Sequence, residues 1–387
     1  MTKPLTPALS DPRADTLTAA RSLLSTYEQA GYARAHPAIL QPAEPFLDLS
    51  GEDIRARMFL TAGRAGEELC LRPDFTIPVS RDYLVSTAAG RPQGYCYLGP
   101  VFRDRGALPG EFLQAGIESF GRTDRTAADA ETLALGLAAT AHFGRNAPAI
   151  MTGDVALFTA LVSALDLAPG WKRRLVKDFN RKASLAQDLE RLTLHAPNGK
   201  ADYQGVLAAL AGSDPKAARA LVTDLLSIAG ISAVGGRSVG EIADRFLEQS
   251  TLGASAALPH DTYDLVMRFL GIGGTPDAAA RAMRTLARDG GLSLDAALDR
   301  FEARNADMTK RGIDIGRVAF SCAFGRGMDY YTGFVFELRD AGSDEPLVAG
   351  GRYDDLLTRL GSPTPIPAVG FSVWIERLSG SLAGDAS

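Results

Sequence analysis

Apolar residues recur at spacings of three and four from Leu17 through Ala20 and Leu24 to Tyr27. That spacing predicts an opening amphipathic helix, capped by Asp15 and stopped by Gly31. The pattern then breaks, because Pro37, Pro42 and Pro45 forbid a continuous helix over 32–50 and favour extended segments. Short apolar runs separated by glycine clusters between Met58 and Tyr97 predict a hairpin leading into further strands. Residues 99–121, GPVFRDRGALPGEFLQAGIESFG, predict a second hairpin. The alanine- and leucine-rich run from Asp124 to Phe143, with Asp129 and Glu131 toward its start, predicts a helix.

From about residue 150 to Ile313 the spacing becomes helical almost throughout. Leu185, Leu189 and Leu192 mark one helix, Ser213-Asp214-Pro215 opens another through Ile228, and Ser238 with Glu241 forms a capping box. Gly271, Gly273 and Gly274 read as turn residues, since Pro276 stands where a dinucleotide fingerprint needs its third glycine. Strand patterning returns at Arg317 and again from Tyr330 to Leu338; Gly350 to Tyr353 opens a helix through Leu360, and Ala368 to Leu378 reads as a strand passing into a closing helix. Strands and helices do not alternate, so the expected class is α+β, an antiparallel sheet flanked by helices. Its two parts, 1–150 and 314–387, are separated by an all-helical insertion over 151–313.

Composition narrows the function classes. The 387 residues carry 41 Lys plus Arg against 46 Asp plus Glu, a net charge of −5 without any block of like charge, so a nucleic-acid partner is not expected. Residues 1–15 lack a basic region followed by an apolar core, and no run approaches eighteen apolar residues. A cytoplasmic protein that makes no use of a membrane is expected. Cys70, Cys96 and Cys322 stand apart, and His36, His142, His195 and His260 are scattered, so no metal site and no catalytic residue is assigned.

Three clusters place arginine beside acids, amides or phenols in strand-like text: Arg72 with Asp74 and Thr76; Arg103 and Arg105 with Gln114 and Glu118; Arg326 with Asp329, Tyr330 and Tyr331. Unpaired charges are costly to bury, so these strands are expected to line a polar cleft. Taken singly, each cluster also reads as an ion pair, Arg103 with Glu118 or Arg326 with Asp329.

The motifs LRPDFT (71–76), YLGPVFRDR (97–105), EFLQAGIESFG (111–121), GRGMDYYTGFVFE (325–337), GGRYDDLL (350–357) and AVGFSVWIERL (368–378) resemble, in order, the catalytic-domain motifs of histidyl-tRNA synthetase. The resemblance implies a class II aminoacyl-tRNA synthetase fold, dimerised through its N-terminal helix and strand. It also implies a histidine pocket. Asp74 matches a glutamate that holds the amino group, Thr76 lies beside it, Gln114 and Glu118 face the amino acid, and Tyr330 and Tyr331 approach its imidazole. Arg103 and Arg377 match arginines that hold ATP phosphates, and Arg326 one that stabilises the activated carboxylate and α-phosphate.

The sequence also departs from that pattern. Phe102-Arg103-Asp104-Arg105 places Arg105 where the synthetase motif has a glutamate that reads adenine, the motif loop is reduced to GALPG, and Trp374 replaces a small residue on the ATP side. Only ten residues follow Arg377, where a synthetase continues into its anticodon-binding domain. The LRPD-x-T form and the EFLQAGIE strand are closer to the regulatory subunit of short-form ATP phosphoribosyltransferase, which acts in the first step of histidine biosynthesis. That family implies a non-catalytic homodimer assembled with catalytic subunits into a hetero-octamer, required for their activity and conferring feedback inhibition by histidine. The histidine would bind in the pocket or at the subunit interface. The chain itself would carry no cofactor, magnesium belonging to the partner's active site, and Arg103, Arg326 and Arg377 would be vestigial phosphate-binding residues. The alternatives are a histidine-adenylating enzyme without its anticodon domain, and a histidine sensor with another partner.

Overall fold

The computed structural model describes residues 12–193, 220–221, 223–225, 228 and 260–380. Its centre is a nine-stranded sheet in the order β1-β5-β6-β12-β11-β10-β7-β9-β8, with a separate three-stranded sheet β2-β4-β3. The strands are β1 (Ala33–Arg34), β2 (Leu40–Pro42), β3 (Leu60–Ala62), β4 (Glu68–Leu71), β5 (Gln93–Phe102), β6 (Glu111–Phe120), β7 (Ala149–Asp154), β8 (Gly273–Gly274), β9 (Val318–Ser321), β10 (Phe334–Arg339), β11 (Pro346–Arg352) and β12 (Ala368–Trp374). Neighbours in the large sheet run antiparallel except β1 with β5 and β7 with β9.

One face of the sheet is covered by α1 (Pro12–Gln29) and α5 (Arg125–His142). The stripe of α1 is Ala20, Leu23, Leu24 and Tyr27, all buried, and Gly31 ends the helix at φ +95°. Asp15 lies within its first turn instead of ahead of it. Side chains alternate along β6: Ala115 and Ile117 join the core under α1 and α5, while Phe112, Gln114, Glu118 and Phe120 are buried toward the opposite face. The expected hairpin forms between β5 and β6, with Gly99 opposite Gln114 and Phe102 opposite Glu111.

Several elements differ from the sequence expectation, each for a local reason. A helix, α4 (Thr76–Val85), follows β4 where strands were expected; Pro78 is tolerated because the first-turn amides have no intrahelical partner. Pro45 likewise sits in the first turn of a short helix, α2 (Glu44–Leu49), inside the stretch expected to be extended. Gly350 to Arg352 belong to β11, and the helix after them is confined to Leu356–Arg359. Close approach explains the strand, because a Cβ on Gly350 would overlap the carbonyl of Gly370 on β12. Gly273 and Gly274 pair with Ser321 and Phe320 of β9 instead of forming a turn.

The helices α6 (Val155–Ala164), α7 (Pro169–Asp178), α8 (Lys182–Thr193), α9 (His260–Leu270), α10 (Pro276–Asp289) and α11 (Asp295–Lys310) share a core with Phe320 and Val335 of the sheet and with Cys322 just after β9. Leu185 and Leu189 are buried there. The expected boundary at 150/151 falls inside β7, and α11 packs against α5, so helical stretch and sheet are joined along a continuous surface. The helix expected over 213–228 is described only at a few positions, and the side chain of Leu192, His195 and the Ser238–Glu241 box lie outside the described residues.

Candidate functional site

A polar pocket lies on the face of the sheet opposite α1 and α5. Its floor is made by β5, β6 and β12, and glycines there leave room for the polar side chains packed on them: a Cβ on Gly116 would overlap Tyr97 Oη, and one on Gly370 would overlap Glu118 Oε2. Its walls are the Pro73–Thr76 turn into α4, Tyr330 and Tyr331, and Tyr353 after β11. Tyr330 and Tyr331 lie in a turn ahead of β10, which begins only at Phe334. They therefore escape strand alternation, and their rings meet at 4.9 Å between centroids.

Glu118 is fully enclosed on this floor. Its Oε1 accepts from Thr76 Oγ1 at 2.7 Å and Tyr97 Oη at 3.3 Å, and its Oε2 accepts from Tyr353 Oη. Burial pushes the carboxyl up to about 8, against the three hydroxyls that favour the charged form. Asp74 is also buried; burial raises its carboxyl and the nearby Arg103 guanidinium opposes the rise. Its Oδ1 accepts from the Ile77 amide at 3.3 Å, but its Oδ2 makes no hydrogen bond within the chain, and neither does Gln114 Oε1. Arg326 Nε is a third buried polar atom without a partner. Two acceptors and one donor are thus left open in this one cluster, while seven other buried side-chain atoms without a partner lie elsewhere among the described residues, and each can be met by a ligand or water.

The arginines are otherwise engaged. Arg103 donates through Nε to Pro73 O at 2.7 Å, and burial lowers its guanidinium to about 10. Arg326 pairs with Glu337 at 2.6 Å, and the same carboxylate takes Arg339. Arg377 pairs with Glu345 at 3.1 Å, donates to Pro346 O at 2.8 Å and lies over the largely buried Trp374 ring at 5.1 Å. Neither ion pair read from the sequence forms: Arg103 does not reach Glu118, and Asp329 pairs with Arg181 at 2.7 Å. Arg72 turns away to the carbonyls of Pro37 and Pro100 and joins no ligand site.

Asp74, Thr76, Gln114, Glu118, Tyr330 and Tyr331 are brought to one pocket, with Arg103 and Arg326 at its edge. Tyr97 and Tyr353 were missed, although both lie inside quoted motifs; their hydrophobic surroundings hide a hydroxyl whose partner is remote in sequence. All three cysteines are buried, and no group of three metal-ligating side chains occurs among the described residues. No described helix is long and apolar enough to cross a membrane.

A mixed, largely antiparallel sheet flanked by helices, with a buried polar cluster and arginines on one face, is the architecture of a class II aminoacyl-tRNA synthetase-like protein. The sequence profile of histidyl-tRNA synthetase matches residues 9–235 and 220–378. A chain from Mesorhizobium japonicum described as an ATP phosphoribosyltransferase regulatory subunit is 44% identical over 344 residues, 88% of this chain and 91% of that one. One of the same description from Agrobacterium fabrum is 42% identical over 370 residues, 95% and 97% of the two chains. The chain belongs to the ATP phosphoribosyltransferase regulatory subunit family. A solved Bacillus halodurans structure described as an ATP phosphoribosyltransferase regulatory subunit/histidyl-tRNA synthetase has the same fold, with a TM-score of 0.66 at 22% identity over 99% of this chain and 82% of that one. A histidine–tRNA ligase subunit from Alicyclobacillus acidocaldarius superposes with a TM-score of 0.58 at 25% identity over 100% and 98%.

Proposed function

We propose that this chain is a non-catalytic subunit that assembles with short ATP phosphoribosyltransferase catalytic subunits in the cytoplasm, supports their activity and makes it responsive to histidine bound in the pocket. One observation carries the ligand reading: the buried, unpartnered Asp74 Oδ2, Gln114 Oε1 and Arg326 Nε offer two acceptors and a donor, complementary to an amino acid's ammonium and carboxylate. The aromatic walls of Tyr330 and Tyr331 suit a flat imidazole. The names of the relatives support the partner. In this reading the assembly is a homodimer within a hetero-octamer, the chain holds no metal or cofactor, and magnesium serves only the partner's active site. Control follows if histidine binds the inhibited assembly more tightly than the active one.

A second reading, histidine adenylation, rests on the presence of Arg103, Arg326 and Arg377. Against it, Arg326 and Arg377 are each held by a carboxylate of the chain, which reduces the positive charge available to phosphates. One experiment separates the readings. The chain is co-expressed with a short catalytic subunit, and the copurified assembly is assayed with and without histidine. A complex whose activity needs this chain and falls with histidine is expected; no complex, or robust histidine-dependent pyrophosphate exchange by the chain alone, overturns the reading.

A further inference from the structure

Tyr353 is 1% exposed and locked from every side: its amide donates to Ala368 O at 2.8 Å, and its ring stands edge-on to Tyr330 at 5.7 Å. The preceding Arg352 donates to Asp129 Oδ1 and Asp354 Oδ1, both at 2.9 Å, and Asp129 is shared with the buried Arg304, which pairs with Asp154 at 2.7 Å. This fixed phenol donates to Glu118 Oε2.

The hydrogens around Glu118 can accommodate a proton on its carboxyl, because Tyr97 has a second acceptor to turn to. Tyr97 has a single hydroxyl hydrogen but three neighbours within reach: Glu118 Oε1 at 3.3 Å, Phe371 O at 3.2 Å and Ser372 Oγ at 3.1 Å. The Phe371 carbonyl can only accept, so when Tyr97 donates there, a hydrogen on Glu118 completes its contact with Tyr97. The other groups facing Glu118 are Asp74 and Thr76 at the start of α4, Tyr330 and Tyr331 from the turn before β10, and Tyr353. None is a cation; Arg103 acts on Asp74. A neutral carboxyl is therefore the form this enclosure favours, as its upward shift to about 8 also indicates. Among the hydroxyls that oppose the shift, Tyr353 contributes most.

We infer that Tyr353 is a positioning residue acting through Glu118: it pins a protonated carboxyl on the pocket floor, and an ammonium-bearing amino acid entering beside it drives that proton out to solvent. This rests on the pocket reading above. The Glu118 O–H bond breaks, the proton passes to bulk buffer, and the carboxylate left behind faces the ligand's ammonium while Tyr353 still donates to it. Ligand affinity then rises with pH over the range in which the free pocket is protonated.

The test is calorimetric titration of the full chain with L-histidine between pH 6.5 and 8.5, in buffers of different ionisation enthalpy. Release approaching one proton per histidine at pH 7 is expected for the native chain. Glu118→Gln, which keeps the hydroxyl contacts and has no proton to lose, is expected to bind more weakly, with only the ligand's own titration left in its pH profile. Tyr353→Phe removes the strongest support of the carboxylate and is expected to move the profile up by about one pH unit, a roughly tenfold loss of affinity at pH 7. Binding without proton release, or a Tyr353→Phe profile at the native position, overturns the proposal alone. A native chain that binds no histidine overturns the pocket reading beneath it.

Discussion

The two halves of the cleft treat their polar groups in opposite ways. In the amino-acid half, Asp74 and Gln114 keep buried oxygens unpartnered, and Glu118 is held by neutral hydroxyls with no cation paired to it. In the half that a synthetase would give to phosphates, the chain supplies its own counter-charges: Glu337 takes Arg326 and Arg339, and Glu345 takes Arg377. A guanidinium neutralised in place offers less field to a phosphate, whereas an unpartnered buried acceptor gains most when a donor arrives. In the function proposed above, one fold keeps recognition of an amino acid while its capacity for nucleotide chemistry fades.

The largest expected effect that would break this contrast is at Asp74. Asp74→Asn removes the charge but keeps the shape, and histidine affinity measured by titration is expected to fall about 10–100-fold, the range for a hydrogen bond to a charged partner. Unchanged affinity would mean that the open oxygen is not a ligand contact. Next is the stability of the ligand-free chain. Because the Glu118 carboxyl is raised in the folded state, its neutral form contributes stability that is fully present below the unfolded value near 4.5 and is lost as pH rises through about 8. Glu118→Gln lacks this dependence, so the native chain should lose about 1.4 kcal/mol relative to it for each pH unit inside that window. Parallel denaturant midpoints at pH 5 and pH 8 would remove the buried proton from the account. The smallest effect sharpens the other half: Glu345 is well exposed, so Glu345→Gln should cost under about 1 kcal/mol and leave histidine affinity unchanged while modestly strengthening pyrophosphate binding. A large stability loss would make that pair structural.

Legibility in the sequence followed the range of the interaction. The β5–β6 hairpin was readable because its strands are close in sequence and its turn is marked, and the stripe of α1 because period alone defines it. Gln114 and Glu118 were placed in one pocket by the resemblance to histidyl-tRNA synthetase, and strand alternation agrees, since residues four apart on β6 share a face. Tyr353 was not, since its partner is 235 residues away and nothing local distinguishes a pocket phenol from a core ring. The strand over Gly350–Arg352 was hidden for a related reason: its glycines answer to the neighbouring β12, not to a local turn.

Fold class, motif order and the chemical types gathered at the cleft can be read along the chain, because hydrophobic period and residue identity act over a few neighbours. Which charges meet is a property of the folded molecule. Arg326 chose Glu337 over Asp329, Asp329 went to Arg181, and Glu118 was left to three hydroxyls. Pairing and protonation in a buried site depend on distances and desolvation set jointly by strands, helices and loops far apart in the chain, and no local pattern encodes them.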